Sequence, residues 1–141
     1  MEEHEGRCHC GRIMISFSTE LVAESFEARA CQCDFCQRHG AAMISDRNGF
    51  LKVKKRADAG RPYQLGLRIT DFHVCAHCGV YVAATWSDGE MNLGVLNIRV
   101  LEEKHRFAKT ITEVDFAGED LEARQRRRRA HWMPTTVTLI E

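Results

Sequence analysis

Short runs in which hydrophobic and polar residues alternate recur along the first hundred residues. Alternation with a period of two gives an extended chain one apolar and one polar face, which is typical of a half-buried strand. The pattern predicts strands over residues 13–17, 25–30, 42–45, 50–53, 63–65, 69–72, 80–86 and 91–97. We therefore expect an all-β fold of short antiparallel sheets, with no long core helix and no internal repeat.

Two of the turns between these runs predict hairpins. Residues 46–49 join the third and fourth runs and contain Asn48-Gly49, a pair that readily supplies positive φ. Residues 87–90 join the last two runs and give the clearest hairpin pattern in the chain. Residues 54–62 are charged and turn-rich, so we expect an exposed loop there.

Beyond residue 100 the pattern becomes helical. Residues 116–132 lack β-branched side chains and are rich in helix formers, which predicts one short C-terminal helix ending before Pro134. Five arginines lie within residues 124–129 and could bind an anion, such as a substrate carboxylate or a nucleic acid. We favour a solvated helix face, because the segment carries its own acidic partners. These partners are Glu119, Asp120 and Glu122. Trp132 is expected to serve in the core or as a lid.

The composition is that of one globular domain. The 141 residues carry 20 Lys+Arg against 20 Asp+Glu and are 44% hydrophobic, which excludes a disordered or collagen-like chain. We expect a single zinc-binding domain over residues 1–141, with a core at about 6–100 and a C-terminal extension at 101–141. No run approaches the ~18 apolar residues of a membrane span and the first residues are acidic, so the expected location is cytoplasmic, with no membrane partner. Balanced charge provides no overall field for nucleic acid, which disfavours that partner.

The chemistry is suggested by seven cysteines in three tight groups. The groups are Cys8 and Cys10, then Cys31, Cys33 and Cys36, then Cys75 and Cys78. A disulfide framework is disfavoured because the count is odd, the expected compartment is reducing and a C-x-C closure is strained. A thioredoxin-like redox pair at the third group is disfavoured because β-type sequence follows it. Thiolates two or three positions apart are typical of metal sites, and zinc is the expected ion.

Seven thiolates divide into a set of four and a set of three. Only the middle group supplies three ligands by itself, which leaves the outer two groups to form a four-thiolate site. A closed four-ligand zinc site is structural, whereas three protein ligands leave a position for water or substrate. A histidine could close that position, and His39, three residues after Cys36, is the main candidate. We expect His9, His73 and His77 to be surface or supporting side chains.

The residues around the cysteines form three motifs. They are Gly6-Arg7-Cys8-His9-Cys10-Gly11, Cys31-x-Cys33-x-x-Cys36-x-Arg38-x-Gly40 and Phe72-His73-Val74-Cys75-Ala76-His77-Cys78-Gly79. Together, over about residues 6–100, they resemble the glutathione-dependent formaldehyde-activating enzyme family, which includes the centromere protein V domain. The resemblance implies a β-tent-like all-β fold with two zinc ions. It implies a structural zinc on Cys8, Cys10, Cys75 and Cys78, and a second zinc on Cys31, Cys33 and Cys36.

The resemblance also implies a reaction. The founding activity of the family is a carbon-sulfur lyase that interconverts S-(hydroxymethyl)glutathione with formaldehyde and glutathione. In this chain Gln32 and Asp34 stand where the family frequently has His and Ser. We expect a zinc-dependent carbon-sulfur lyase for thiol-aldehyde adducts, with the middle zinc catalytic and Asp34 or His39 moving the proton. The expected partners are a small thiol such as glutathione and a small aldehyde.

Two other functions stay open at this point. The chain could be a non-catalytic, zinc-stabilised binding module for a protein or nucleic acid, in which both metals are structural. It could also keep the fold with no metal at the middle group and use those thiols in redox chemistry. Metal content would separate the second alternative from the others, since about two zinc ions per chain disfavours an empty middle site.

Overall fold

A computed structural model describes residues 1–140 of the chain. Most of its regular secondary structure is β-strand. The strands are β1 (Glu2–Arg7), β2 (Ile13–Thr19), β3 (Glu27–Cys31), β4 (Met43–Ile44), β5 (Phe50–Arg56), β6 (Asp71–Val74), β7 (Tyr81–Ser87), β8 (Asn92–Asn97), β9 (Thr110–Val114) and β10 (Met133–Ile140). The α-helices are α1 (Asp34–His39), α2 (Lys104–Phe107) and α3 (Leu121–His131). The predicted all-β class with a short C-terminal helix is confirmed.

Two groups of strands share the last strand, β10. One group has the order β1-β2-β5-β10, and the other contains β8, β4, β3 and β9, with β7 and then β6 on the opposite side of β8. Met133 and Pro134 pair with β8, whereas residues 135–140 pair with β5, so β10 passes from one group to the other. The residues beyond 100 therefore contribute a central strand of the sheet.

Not every strand pair is antiparallel. β10 runs parallel to β5, and β9 runs parallel to β3, while the other strand pairs are antiparallel. A parallel pair needs a long crossover, which neither the turns nor the local alternation can reveal. The prediction of antiparallel sheets is thus wrong for these two pairs.

Of the two predicted hairpins, only the second exists. β7 and β8 pair directly, and Asp88 Oδ1 shapes their turn by accepting from the backbone N–H groups of Glu90 and Met91. The turn after β4 forms as well, with Gly49 N donating to Asp46 O at 2.7 Å, but Gly49 has no positive φ. Its flanking strands do not pair, because β4 pairs with β3 and β8 whereas β5 pairs with β2 and β10.

Several other predicted strand and loop positions differ from the structure. Residues 54–56 belong to β5 and not to an exposed loop, and Lys55 is buried. The strand predicted at 63–65 is reduced to a single bridge between Tyr63 and Phe72. The alternation did not predict β1 and β9, whose sequences are mostly polar. These strands form because they pair with neighbouring strands in the folded protein, which local sequence preference does not indicate.

The core has two connected parts. The larger part lies beneath β2, β5, β7 and β8 and includes an aromatic group in which Phe107 contacts Phe17, Phe26 and His4. The smaller part contains Trp86, Trp132, Tyr81 and Cys36, so Trp132 has the predicted core role. Within residues 1–140, none of the helices has the length and apolar character needed to cross a membrane.

Candidate metal centres

The outer cysteines meet at one end of the sheets. Cys8 and Cys10 lie in the turn between β1 and β2, and Cys75 and Cys78 lie in the turn between β6 and β7. All four sulfur atoms lie within 4.8 Å of one another, with Sγ–Sγ distances of 3.8 Å for Cys8 to Cys10 and 3.5 Å for Cys10 to Cys75. We call this group the outer cluster.

Two similar backbone turns build the outer cluster. Cys8 N donates to Ile13 O at 2.9 Å, and Cys75 N donates to Val80 O at 3.0 Å, so each turn begins as a continuation of a strand pair. Each turn then reverses at a glycine that follows the second cysteine, with φ of +85° at Gly11 and +76° at Gly79. Other residues are strained at such angles, which explains the Cys-Gly pairs in the sequence.

The outer cluster has one buried and one exposed side. Burial raises the pKa of the Cys8 thiol to about 11. Hydrogen bonds from the backbone and then the side chain of Arg12 lower the pKa of exposed Cys10 to about 6. The Cys8 sulfur also accepts from Ile13 N at 3.3 Å. Four converging sulfurs with N–H donors around them match the ligand set of a structural zinc site, so the residues fit the metal.

The middle cysteines lie at the junction of β3 and α1. Cys31 ends β3, Cys33 is the residue before the helix and Cys36 lies in its first turn, and their sulfurs lie within 4.8 Å of one another. We call this group the middle cluster. The Cys33 sulfur accepts from Cys36 N at 3.4 Å and so caps the helix.

Exposure and charge differ among the three middle thiols. Cys33 is exposed, Cys31 is half-buried and Cys36 is buried. A hydrogen bond from Cys36, helped by hydrogen bonds from Cys33 and by the charge of Arg127, lowers the pKa of Cys31 to about 6. The same hydrogen bond and burial strongly raise the pKa of Cys36. A cation would replace the proton that these sulfurs share, so the middle cluster also fits a metal, with three ligands.

Aromatic rings line one side of the middle cluster. Phe35 packs against His39, Tyr63, Phe72 and Tyr81, with ring centroids 4.7–5.6 Å apart. Burial holds the pKa of Tyr81 well above its usual value, so its hydroxyl stays protonated. The middle cluster therefore has a buried side at Cys36 and Tyr81 and an open side at Cys33.

The candidate proton carriers lie beside the middle cluster and outside its ligand set. Asp34 is 81% exposed and accepts from Arg38 Nε at 2.9 Å. His39 packs its ring against Phe35 and Tyr81. Within the described residues, neither side chain joins the group of converging metal-ligand atoms.

The three other histidines near cysteines also lie outside the sulfur groups. His9 is exposed, and His77 Nε2 lies 3.7 Å from Asp58 Oδ2. His73 is buried, and burial lowers its pKa to about 4. It lies between Lys55 and Thr85, a contact that no sequence pattern predicts.

A third set of potential ligands contains Glu2, His4 and Glu103. The two carboxylates lie at different ring nitrogens of His4, at 3.5 Å from Nε2 and 3.1 Å from Nδ1. Arg106 already pairs with both carboxylates and with Glu24. This arrangement is an ion-pair network that fastens β1 to α2.

The arginine-rich helix is only partly solvated. Arg127 forms a bidentate pair with Glu119 at 2.8 and 2.9 Å, which Arg124 also approaches, and Arg126 pairs with Glu122. The expected acidic pairing is thus correct for two acids, while Asp120 caps α3. Arg128 corrects the expectation of a fully solvated face, because it is 7% exposed and packs between Trp86 and Trp132.

The fold and the two clusters define a cysteine-rich β protein whose thiols can hold metal ions. The family model described as glutathione-dependent formaldehyde-activating enzyme matches residues 3–115, and the chain belongs to this family. Membership supports a glutathione- and formaldehyde-related function at the level of the family.

The chain is similar to a Rhodobacter sphaeroides protein of known crystal structure, with 28% identity and a TM-score of 0.58 over 78% of this chain and 99% of the other. No curated protein matches the sequence.

Proposed function

We propose that the protein is a zinc-dependent carbon-sulfur lyase that interconverts S-(hydroxymethyl)glutathione with formaldehyde and glutathione. The observation that carries the proposal is the middle cluster, in which three sulfurs converge without a fourth protein ligand among the described residues. Membership of the family supplies the substrate class.

The described residues would have different roles in the proposed site. Cys31, Cys33 and Cys36 would hold the ion, while the outer cluster would hold a structural one. When bound, zinc supplies a Lewis acid that lowers the pKa of a thiol. In the lyase direction the carbon-sulfur bond breaks, the hydroxyl oxygen loses its proton and becomes the aldehyde oxygen, and the sulfur leaves with the bonding electrons. The exposed Cys33 side of the middle cluster gives the thiol access, while Cys36 and Tyr81 are buried on the other side.

His39 is the better candidate for the hydroxyl proton. Its imidazole packs against Phe35 and Tyr81, which belong to the same packed group as Cys36, whereas Asp34 points to solvent and is held by Arg38. An imidazole exchanges protons near neutral pH, which suits a general acid-base role.

Replacement of Cys33 tests the proposal. We expect Cys33→Ser to lower turnover of S-(hydroxymethyl)glutathione by at least about 100-fold, because it removes a metal ligand while a serine can still cap α1. The measurement is formaldehyde release by the zinc-loaded protein, with bound zinc per chain determined on the same sample.

Two matched variants complete this test. His39→Gln should lower the rate constant and leave the zinc content near two per chain, whereas Asp34→Asn should change the rate less than His39→Gln does. Wild-type turnover in Cys33→Ser, at native thermal stability, would refute the lyase assignment to this cluster.

The binding-module alternative has less support. A nucleic-acid site would need several free cations on α3, but Arg124, Arg126 and Arg127 are engaged by acidic side chains and Arg128 is buried. Arg129 is exposed and lies 5.6 Å from the Trp86 ring. Retention of a short RNA by the zinc-loaded protein at physiological salt would be the result that restores it.

A further inference from the structure

A lysine occupies a core position of β5. Leu51, Val53 and Lys55 alternate on the buried face of this strand, and Lys55 is only 3% exposed. A lysine is rarely fully buried unless it is paired, because burying a charge is costly without a hydrogen-bond or ion-pair partner.

The hydrogen bonds of Lys55 do not include a carboxylate. Its Nζ lies 3.3 Å from Nδ1 of His73, whose Nε2 lies 2.8 Å from the Thr85 hydroxyl. An ammonium group can only donate, so Nδ1 accepts the bond and Nε2 carries the ring proton that goes to Thr85.

Lys55 lies next to residues that flank the outer cluster. In the register of β2 and β5, Lys55 lies opposite Ile13, whose N–H donates to the Cys8 sulfur. Its partner His73 precedes Cys75 by two residues. Burial lowers the pKa of Lys55, and the charges of Asp71 and then Cys75 oppose that change. Asp71 also accepts from Gln64 at 2.7 Å, and Cys75 is the member of the outer cluster that interacts with the charge of Lys55.

The outer cluster needs such a charge. Four thiolates around one divalent cation carry two net negative charges, and half of the cluster is buried. On its solvent side, the Arg12 side chain hydrogen-bonds Cys10 and also pairs with Asp58 at 3.1 Å, while Arg7 lies 3.9 Å from Glu102. Lys55 differs from these two arginines in being buried.

We propose that Lys55 is a positioning residue for the outer metal centre, where its ammonium group offsets the thiolate charge from the core side and His73 holds it in place. The role concerns metal retention and does not depend on the lyase activity. Groups that surround metal ligands commonly change metal affinity by about 10- to 100-fold.

The test compares zinc affinity in two neighbouring variants. Lys55→Met keeps the length of the side chain and suits an apolar position, whereas Lys54→Met alters the next lysine along β5, which is exposed. Competition of full-length, zinc-loaded protein with a chelator should show one zinc per chain bound about 10- to 100-fold more weakly in Lys55→Met. The second zinc, and both zinc ions in Lys54→Met, should stay within about threefold of wild type.

Charge and packing are separated by a third variant. Lys55→Arg keeps the positive charge and should recover most of the zinc affinity lost in Lys55→Met, with the thiolate charge-transfer bands of the cobalt-loaded protein unchanged. Equal zinc affinity in Lys55→Met and wild type would overturn the proposal, as would an equal loss in Lys55→Met and Lys55→Arg. Loss of lyase turnover with unchanged zinc affinity would bear on the proposed function alone.

Discussion

Arg128 shows how one residue can differ from its neighbours in the same charged run. Its Nη1 donates to the Thr70 hydroxyl at 2.7 Å, and its guanidinium carbon lies 4.5 Å from the centre of the Trp132 ring. Burial lowers the pKa of Arg128 to about 10, so it remains a cation at neutral pH. The contacts therefore join α3 to the smaller core through stacking and one hydrogen bond.

Truncation of Arg128 should be costly. Arg128→Ala removes the stacking between two tryptophans and leaves the Thr70 hydroxyl without its donor, so we expect a loss of about 2–4 kcal/mol in the free energy of unfolding. Thermal unfolding of the zinc-loaded protein measures it, as a fall of roughly 5–15 °C in Tm. Arg126→Ala, at a position 70% exposed, is the control and should stay within about 0.5 kcal/mol. Equal effects of the two substitutions would contradict this account of Arg128.

At the scale of the elements, the two predicted turns differ in how far their local sequence determines which strands pair. The turn at residues 87–90 closes a hairpin on its own, because Asp88 satisfies two backbone N–H groups within the turn. The turn at 46–49 has local hydrogen bonds to Asp46 from Asn48 N and Gly49 N, but Asp46 also accepts a hydrogen bond from the Thr19 hydroxyl at 2.6 Å. That contact lies 27 residues away, so no local pattern could have shown that β4 and β5 diverge.

The start of α3 offers a prediction at this scale. Asp120 Oδ1 accepts from Ala123 N at 2.8 Å and caps the helix, so Asp120→Ala should cost about 1 kcal/mol of unfolding free energy. Asp120→Asn keeps a side-chain oxygen that can accept this hydrogen bond, so it should lower the free energy of unfolding by only about a few tenths of a kcal/mol. Urea denaturation of the two variants distinguishes them. A loss as large in Asp120→Asn would assign the effect to charge rather than to capping.

At the scale of the whole molecule, the outer cluster connects two distant parts of the chain. It brings the β1–β2 turn to the β6–β7 turn, and both Cys8 and Cys75 belong to the larger core. Structural zinc contributes about 10–16 kcal/mol to folding in small zinc domains, which is as large as the stability of a typical domain. We therefore expect the fold to depend on the metal at this cluster.

Metal removal and cysteine replacement test this dependence. Chelation, or Cys75→Ser, should abolish the cooperative thermal transition, whereas Cys33→Ser should retain it because the middle cluster joins only β3 to α1. Near-ultraviolet circular dichroism of the buried Trp86 and Trp132 follows the change. A native spectrum in the chelated protein would contradict the structural role.

The class of fold, the C-terminal helix and the grouping of the cysteines can all be predicted from the sequence, because alternation, helix propensity and ligand spacing are local properties. Tertiary structure alone decided that β10 lies between β5 and β8, that Asp34 and His39 stay outside the middle ligand set, and that Lys55 and Arg128 are buried. These facts depend on contacts between residues far apart in the chain. A buried lysine and an exposed one look alike in sequence, since only the packing around the charge determines whether its partner is water or another side chain, as His73 is for Lys55.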